Sequence, residues 1–175
     1  MARCFITRRL PGDALERLAQ AHELDIWPER MPPPYEELRR RTAEADGLLS
    51  MLTDRIDAEL LDACPGLRAI ANCAVGYDNV DVAAAAARGI PVGNTPDVLT
   101  DTTADLAFAL LLAAARRLPQ ASATIPAGEW ITWEPDANLG YDVHGATLGI
   151  VGRGRIGAAV ARRAAVLTSR IVTAM

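Results

Sequence analysis

Gly152, Gly154 and Gly157 stand in the spacing G-x-G-x-x-G, directly after the apolar run 148–151 and at the start of RIGAAVARRAAVL. Each glycine has its own physical use. Gly152 permits a tight turn, Gly154 lets the backbone approach a pyrophosphate, and Gly157 lets a helix pack closely on the preceding strand. The helix N-terminus turns unpaired N–H groups and the positive end of its dipole toward phosphate oxygens. The chemistry implied is dinucleotide binding. Without a strand before it and a helix after it, the same spacing would be a chance glycine-rich turn. An acidic residue for the adenosine ribose is expected about twenty residues beyond the first glycine, at the end of the next strand. That strand is RIVTAM, 170–175, and it holds no acid. The dinucleotide unit therefore reads as incomplete.

Few other residues offer chemistry by spacing. Cys4, Cys64 and Cys73 are too scattered for a metal site, and His22 and His144 form no ligand pair. The cysteines read as buried or unremarkable thiols in a reducing cytoplasm. His22, on the first helix, is expected to be partly exposed, and His144 to lie at the surface. A net charge of −4 argues against nucleic acid or an anionic membrane as a partner. The runs Arg39-Arg40-Arg41 and Arg162-Arg163 read as solvated helix faces. MARCFITRRL has no signal-peptide core, Asp13 and Glu16 disfavour a transit peptide, and the apolar stretch 106–115 is too short to span a bilayer. A cytoplasmic protein is expected.

The elements that must position these residues alternate. Strands are expected at 3–7, 24–27, 47–52, 67–73 and in IPVGN, where Pro91 confines the strand to an edge or a strand start. Between them lie helices at 11–21 (with Pro11 at its start), 35–45 (opened by Pro34) and 57–64, and an alanine helix capped by Asp81 and closed at Gly89. Such alternation implies an α/β domain over 1–98, a mostly parallel sheet with helices on both faces. The segment 95–119 breaks the rhythm. It is expected to be a helix buried within its fold or between two domains, capped by Thr100 or Asp101, with Arg116 and Arg117 at its negative end and Pro119 stopping it. Residues 119–145, with Trp130 and Trp133, read as an arm, and a fresh βα unit begins near 147. Residues 99–175 would thus be an interdomain helix, an arm and the first βαβ of a second, incomplete domain.

Four segments in order, VGYDNVD, RGIPVGNTPDVLTDTTADLAFALLLAAARRLP, GEWITWEP and LGYDVHGATLGIVGRGRIG, make the chain resemble the D-isomer-specific 2-hydroxyacid dehydrogenases. Within that family it is most similar to the glyoxylate/hydroxypyruvate reductases. The resemblance implies a flavodoxin-like substrate domain followed by a partial Rossmann cofactor domain. It implies NAD or NADP as cofactor, a small 2-oxo or 2-hydroxy acid as substrate, and a homodimer in which the arm crosses to the partner. It places Val75 and Gly76 at the substrate carboxylate through backbone N–H groups, with Val75 also bordering the nicotinamide; a plain strand-to-loop turn is the alternative. Ser50, Met51 and Leu52 fall at the family's substrate loop, or else at a buried strand end. Thr103 falls near the cofactor, or else caps a helix. Gly154, Arg155, Ile156 and Gly157 match the cofactor turn, while Arg153 replaces the usual apolar residue.

The resemblance also implies an arginine, a glutamate and a histidine that carry catalysis downstream of the glycine turn. None has a counterpart within 1–175, so no catalytic residue is assigned. The expectation is a chain truncated after the start of its cofactor domain and without turnover. A non-enzymatic, NAD-responsive binding module and a non-functional gene fragment are the alternatives.

Overall fold

The computed structural model describes residues 1–168 and 170–174. Met175, at the end of the last expected strand, lies outside the described residues. The chain divides into two compact units, Met1–Asp97 and Val98–Met175. Each is described by itself.

The first unit alternates β1 (Arg3–Ile6), α1 (Ala14–Ala19), β2 (Glu23–Ile26), α2 (Tyr35–Ala43), β3 (Gly47–Ser50), α3 (Ala58–Asp62), β4 (Ala69–Asn72), α4 (Val82–Ala87) and β5 (Val92–Gly93). Its five strands pair in parallel in the order β2-β1-β3-β4-β5, the flavodoxin-like order. The direction of travel reverses after β2. Right-handed crossovers therefore put α1 on one face and α2, α3 and α4 on the other. The alternation of strand side chains follows this division. Phe5, Leu48 and Ile70 join Leu38, Ile56, Leu60 and Leu61 in the main core, whereas Ile6 and Leu15 are buried outside it. Burying each such side chain contributes about 1.5–3 kcal/mol.

Local chemistry sets the helix ends. Asp57 accepts the Leu60 N–H at 3.0 Å, and Asp81 accepts that of Ala84 at 2.8 Å. Gly89 takes the left-handed conformation, φ 69°, that ends α4. Helix α1 starts at Ala14 rather than at Pro11, because Gly12 has φ 79° and cannot lie within a right-handed helix. Strand β5 is short, follows Pro91 and lies at the sheet edge. Arg41 is not part of a solvated face. Its guanidinium stacks 4.9 Å from the Trp27 ring and pairs with Asp25 at 2.8 Å and Glu37 at 3.4 Å. Arg39 and Arg40 keep to the exposed side, in pairs with Glu36 and Glu37.

The second unit contains α5 (Thr100–Ala115), α6 (Leu118–Thr124), β6 (Thr147–Val151), α7 (Arg155–Ala164) and β7 (Arg170–Ala174). Strands β6 and β7 form a parallel pair of their own, joined by α7. Several expectations change here. Helix α5 is capped by Leu99 without a side-chain bond, because Asp101 instead pairs with Arg162 and Arg163 on α7. Arg162 stays solvent-exposed as expected, whereas Arg163 is half-buried against α5 and also pairs with Asp105. Pro119 does not stop a helix. The chain turns at Arg117, φ 53°, and Pro119 sits in the first turn of α6, where its missing N–H costs nothing. Nor is α5 buried within its unit. Its apolar residues encircle the axis, α7 covers one stripe that buries Ala104, and Leu106 and Leu110 are each 60% exposed. Among the described residues no helix is long and apolar enough to cross a membrane.

Candidate functional sites in the two units

In the first unit the carboxyl ends of β1, β3, β4 and β5 lead into Thr7, Met51, Cys73 and Asn94. Ligands of open parallel sheets bind at this edge. The loop after β4 carries Val75 and Gly76, both exposed. Three successive carbonyls of this loop are held. Ala74 C=O accepts the Thr95 N–H at 2.9 Å, Val75 C=O accepts Asn94 Nδ2 at 2.8 Å, and Gly76 C=O accepts Asn72 Nδ2 at 3.0 Å. The N–H groups of Val75, Gly76 and Tyr77 have no acceptor among the described residues. A shallow cleft lined by Tyr77, Val82, Val92 and Asn94 lies beside them.

Beneath the loop runs a polar network that spacing does not reveal. Ser50 is fully buried and donates to Asn72 Oδ1 at 2.9 Å. Asn72 and Asn79 exchange amide hydrogen bonds at 3.1 and 3.2 Å. Asn79 Nδ2 also lies 3.0 Å from the carbonyls of both Met51 and Asp54. The buried Asp54 carboxylate accepts the Met51 N–H at 2.7 Å and the Thr7 hydroxyl. Ser50 therefore faces its own protein, while Met51 is half-buried and Leu52 is exposed. Asn72, Asn79, Asn94, Asp54 and Thr7 are the residues that sequence reasoning missed. The one signal, for Thr7, Asn72 and Asn94, was a polar side chain standing where a strand of an apolar sheet ends.

Close by, Tyr35 donates to Asp57 Oδ1 at 2.6 Å. Burial, and then that hydrogen bond, pushes the Tyr35 phenol up to about 12. Burial pushes the Asp57 carboxyl up as well, but the bonds from Tyr35 and Leu60 and the charge of Arg55 together leave it below the usual carboxylate range. Burial raises the Cys64 thiol to about 11. Cys4 is half-buried and Cys73 exposed, and the described cysteines are all free. His22 is half-buried and His144 exposed. No group of ligating side chains able to hold a metal occurs among the described residues.

In the second unit the glycine turn brings Gly152, Gly154, Arg155, Ile156 and Gly157 together between β6 and α7. Gly152 has φ 85°, a conformation that a side chain would strain. A Cβ at Gly157 would overlap the carbonyl oxygen of Gly152 and press on Ile150, so helix and strand meet here with no room for a methyl group. Gly154 is different. It caps α7 in an ordinary extended conformation, and open space surrounds the position of its absent Cβ. The first-turn N–H groups of Ile156 and Gly157 have no intrahelical acceptor. Close packing at 157 with an open approach at 154 fits a pyrophosphate. Thr103 is exposed in the first turns of α5, and its N–H bonds to Leu99 C=O at 2.9 Å.

A flavodoxin-like parallel sheet and a strand–glycine turn–helix unit define an α/β protein of the dehydrogenase kind. The chain belongs to the D-isomer specific 2-hydroxyacid dehydrogenase family, whose catalytic-domain model matches residues 4–174. It is 53% identical over 171 residues to a glyoxylate reductase of Korarchaeum cryptofilum, covering 97% of this chain and 52% of that protein. It is 54% identical over 172 residues to the glyoxylate reductase of Thermococcus kodakarensis, covering 96% and 52%. Among solved structures, a Thermus thermophilus protein matches with a TM-score of 0.92 at 47% identity, over 98% of this chain and 55% of that one. A glyoxylate reductase from Paecilomyes thermophila matches with a TM-score of 0.79 at 28% identity, over 98% and 55%. The chain spans about half the length of the curated relatives it matches.

Proposed function

We propose that this chain is the reactant-holding half of an NAD(P)H-dependent oxidoreductase that reduces glyoxylate, hydroxypyruvate or a similar small 2-oxo acid. The observation that carries this reading is the glycine turn, packed shut at Gly157 and open at Gly154, in a chain about half identical to glyoxylate reductases. The first unit is the substrate domain, and the second holds the interdomain helix, the arm and the opening of the cofactor domain. Gly152, Gly154, Arg155, Ile156 and Gly157 hold the cofactor's pyrophosphate with N–H groups and the dipole of α7. Thr103 and Val75 border the cofactor, which when bound supplies the hydride. Val75 and Gly76 hold the substrate carboxylate through their N–H groups and so fix the carbonyl carbon for attack.

Holding is distinct from turnover. The arginine, glutamate and histidine that the family uses have no counterpart in 1–175, so these residues alone bind without reducing. A homodimer, with Trp130 and Trp133 of the exposed arm in its contacts, and a cytoplasmic setting belong to the same reading.

The test is an amide-resolved NMR titration of the chain. NADH or NADPH at millimolar concentration should shift the amides of 152–157, and oxamate, a 2-oxo acid analogue, should shift those of Val75 and Gly76. Glycine-turn amides that ignore both cofactors would refute the dinucleotide reading.

A further inference from the structure

Resting on that carboxylate reading, the geometry of the loop after β4 points to a residue that shapes the cradle without touching the ligand. A trans peptide sets the N–H of one residue antiparallel to the carbonyl of the residue before it. The described chain contains no cis peptide bond. Whatever holds the carbonyls of Ala74, Val75 and Gly76 therefore aims the N–H groups of Val75, Gly76 and Tyr77.

Two of these holds come from adjacent residues at the end of β5. The backbone N–H of Thr95 takes Ala74 C=O, and the side-chain amide of Asn94 takes Val75 C=O. Successive carbonyls that point to one side depart from the alternation of an extended strand. The N–H groups of Val75 and Gly76 consequently converge on the opposite side, as in the backbone concavities that bind anions. The third hold is of another kind. Asn72 takes Gly76 C=O from β4, and the Asn72–Asn79 amide pair ties it to the carbonyls of Met51 and Asp54. The Tyr77 N–H is thus aimed by the buried network, and that of Gly76 by one exposed side chain.

We propose that Asn94 is the positioning residue of the carboxylate cradle: its amide pins Val75 C=O so that the Gly76 N–H converges with that of Val75 on the substrate. Asn94 is exposed, so its replacement leaves the core intact. Asn94→Asp keeps the shape but offers a lone pair in place of the N–H donor, and Asn94→Ala removes both.

The experiment measures N–H residual dipolar couplings of Val75, Gly76 and Tyr77 in the labelled 175-residue chain and in both variants, followed by oxamate titration. The Gly76 coupling should change in both variants while that of Tyr77, held by Asn72, stays as it was. Oxamate should bind about tenfold more weakly, the effect of one misaligned hydrogen bond. Couplings that ignore Asn94 while oxamate still binds overturn the proposal alone. Couplings that respond to Asn94 in a chain whose Val75 and Gly76 amides ignore oxamate overturn the carboxylate reading, and the cradle with it.

Discussion

Replacing Gly157 with alanine sets two effects of opposite sign against each other, and the structure says which prevails. Gly157 lies in the first turn of α7, where helix propensity alone favours alanine by about 1 kcal/mol. Against this, the new Cβ would overlap the carbonyl oxygen of Gly152. That oxygen belongs to backbone, and its residue is anchored by the Gly152 N–H bond to Ala174 C=O at 2.8 Å. It cannot swing aside as a flexible side chain would. Helix and strand must separate by on the order of 1 Å, and overpacking of this kind costs about 1–3 kcal/mol. The net expectation is a loss of up to about 2 kcal/mol, because a backbone clash at this distance outweighs the propensity gain.

Gly154→Ala is the control. Its φ of −72° suits any residue and its surroundings are empty. The lower entropy of the unfolded chain and the poorer cap roughly cancel, leaving stability within about 1 kcal/mol of wild type. A pyrophosphate seated there would nonetheless meet the new methyl group. The assay is native-state hydrogen exchange of β6 and α7 amides, which reports local stability where two units preclude a single unfolding free energy. Cofactor titration follows on the same samples. Exchange should quicken in Gly157→Ala and hold in Gly154→Ala, while NADH binding weakens at least tenfold in the latter. A stabilised Gly157→Ala would refute the close packing, and a Gly154→Ala chain that binds as well as wild type would refute the seat of the pyrophosphate.

Two further outcomes follow from the first unit. Tyr35 has its pKa raised from 10.0 to about 12, so its contribution to stability is complete below about pH 10 and is lost as pH rises through about 12. The stability difference of the first unit between wild type and Tyr35→Phe, followed by urea titration of first-unit methyl signals against pH, should be flat below that window and shrink within it; a difference that grows with pH would contradict the Tyr35–Asp57 bond. Cys64 is buried with its thiol raised to about 11, whereas Cys73 is exposed. A thiol reagent at about pH 8 should therefore label Cys73 in the native chain and reach Cys64 only on unfolding, as peptide mass mapping would show.

Local rules carried the fold a long way. The alternation of short apolar runs with helical periods pointed to the parallel sheet, and Asp81 and Gly89 end α4 as capping chemistry requires. The glycine spacing located a turn in which Gly152 takes a positive φ and Gly157 packs closely on the preceding turn. What stayed hidden depends on partners far apart in sequence. Arg41 reads as solvent-facing until Trp27 and Asp25 are brought beneath it. Asp101 reads as a cap until Arg163 competes for it. Helix α5 reads as buried because it is apolar all round, but burial depends on what is packed against it, and within its unit α7 covers a single stripe. The asparagine network was equally illegible, since Ser50, Asn72 and Asn79 meet only after β3 and β4 have paired.

On the proposed reading both candidate sites would bind an anion with backbone N–H groups rather than with cations, and the composition suggests why. The 18 basic residues are all arginine, in a chain with 22 acids. Many of these arginines are taken up by carboxylates, as Arg41 is by Asp25 and Arg163 by Asp105. An arginine also carries rotamer entropy and a full charge that must be desolvated. A backbone N–H held by its own carbonyl partner carries neither burden. Its weakness is direction, because a loop free to rotate its peptides would turn the donors away. The glycine turn meets that weakness by steric closure, with Gly157 pressed on Gly152. The loop after β4 meets it with side-chain amides on its carbonyls. A steric lock fails when a methyl group is added, and an amide lock fails when a donor is removed. Gly157→Ala and Asn94→Asp are therefore complementary probes of one design, and each should disturb its own unit while leaving the amide spectrum of the other unchanged.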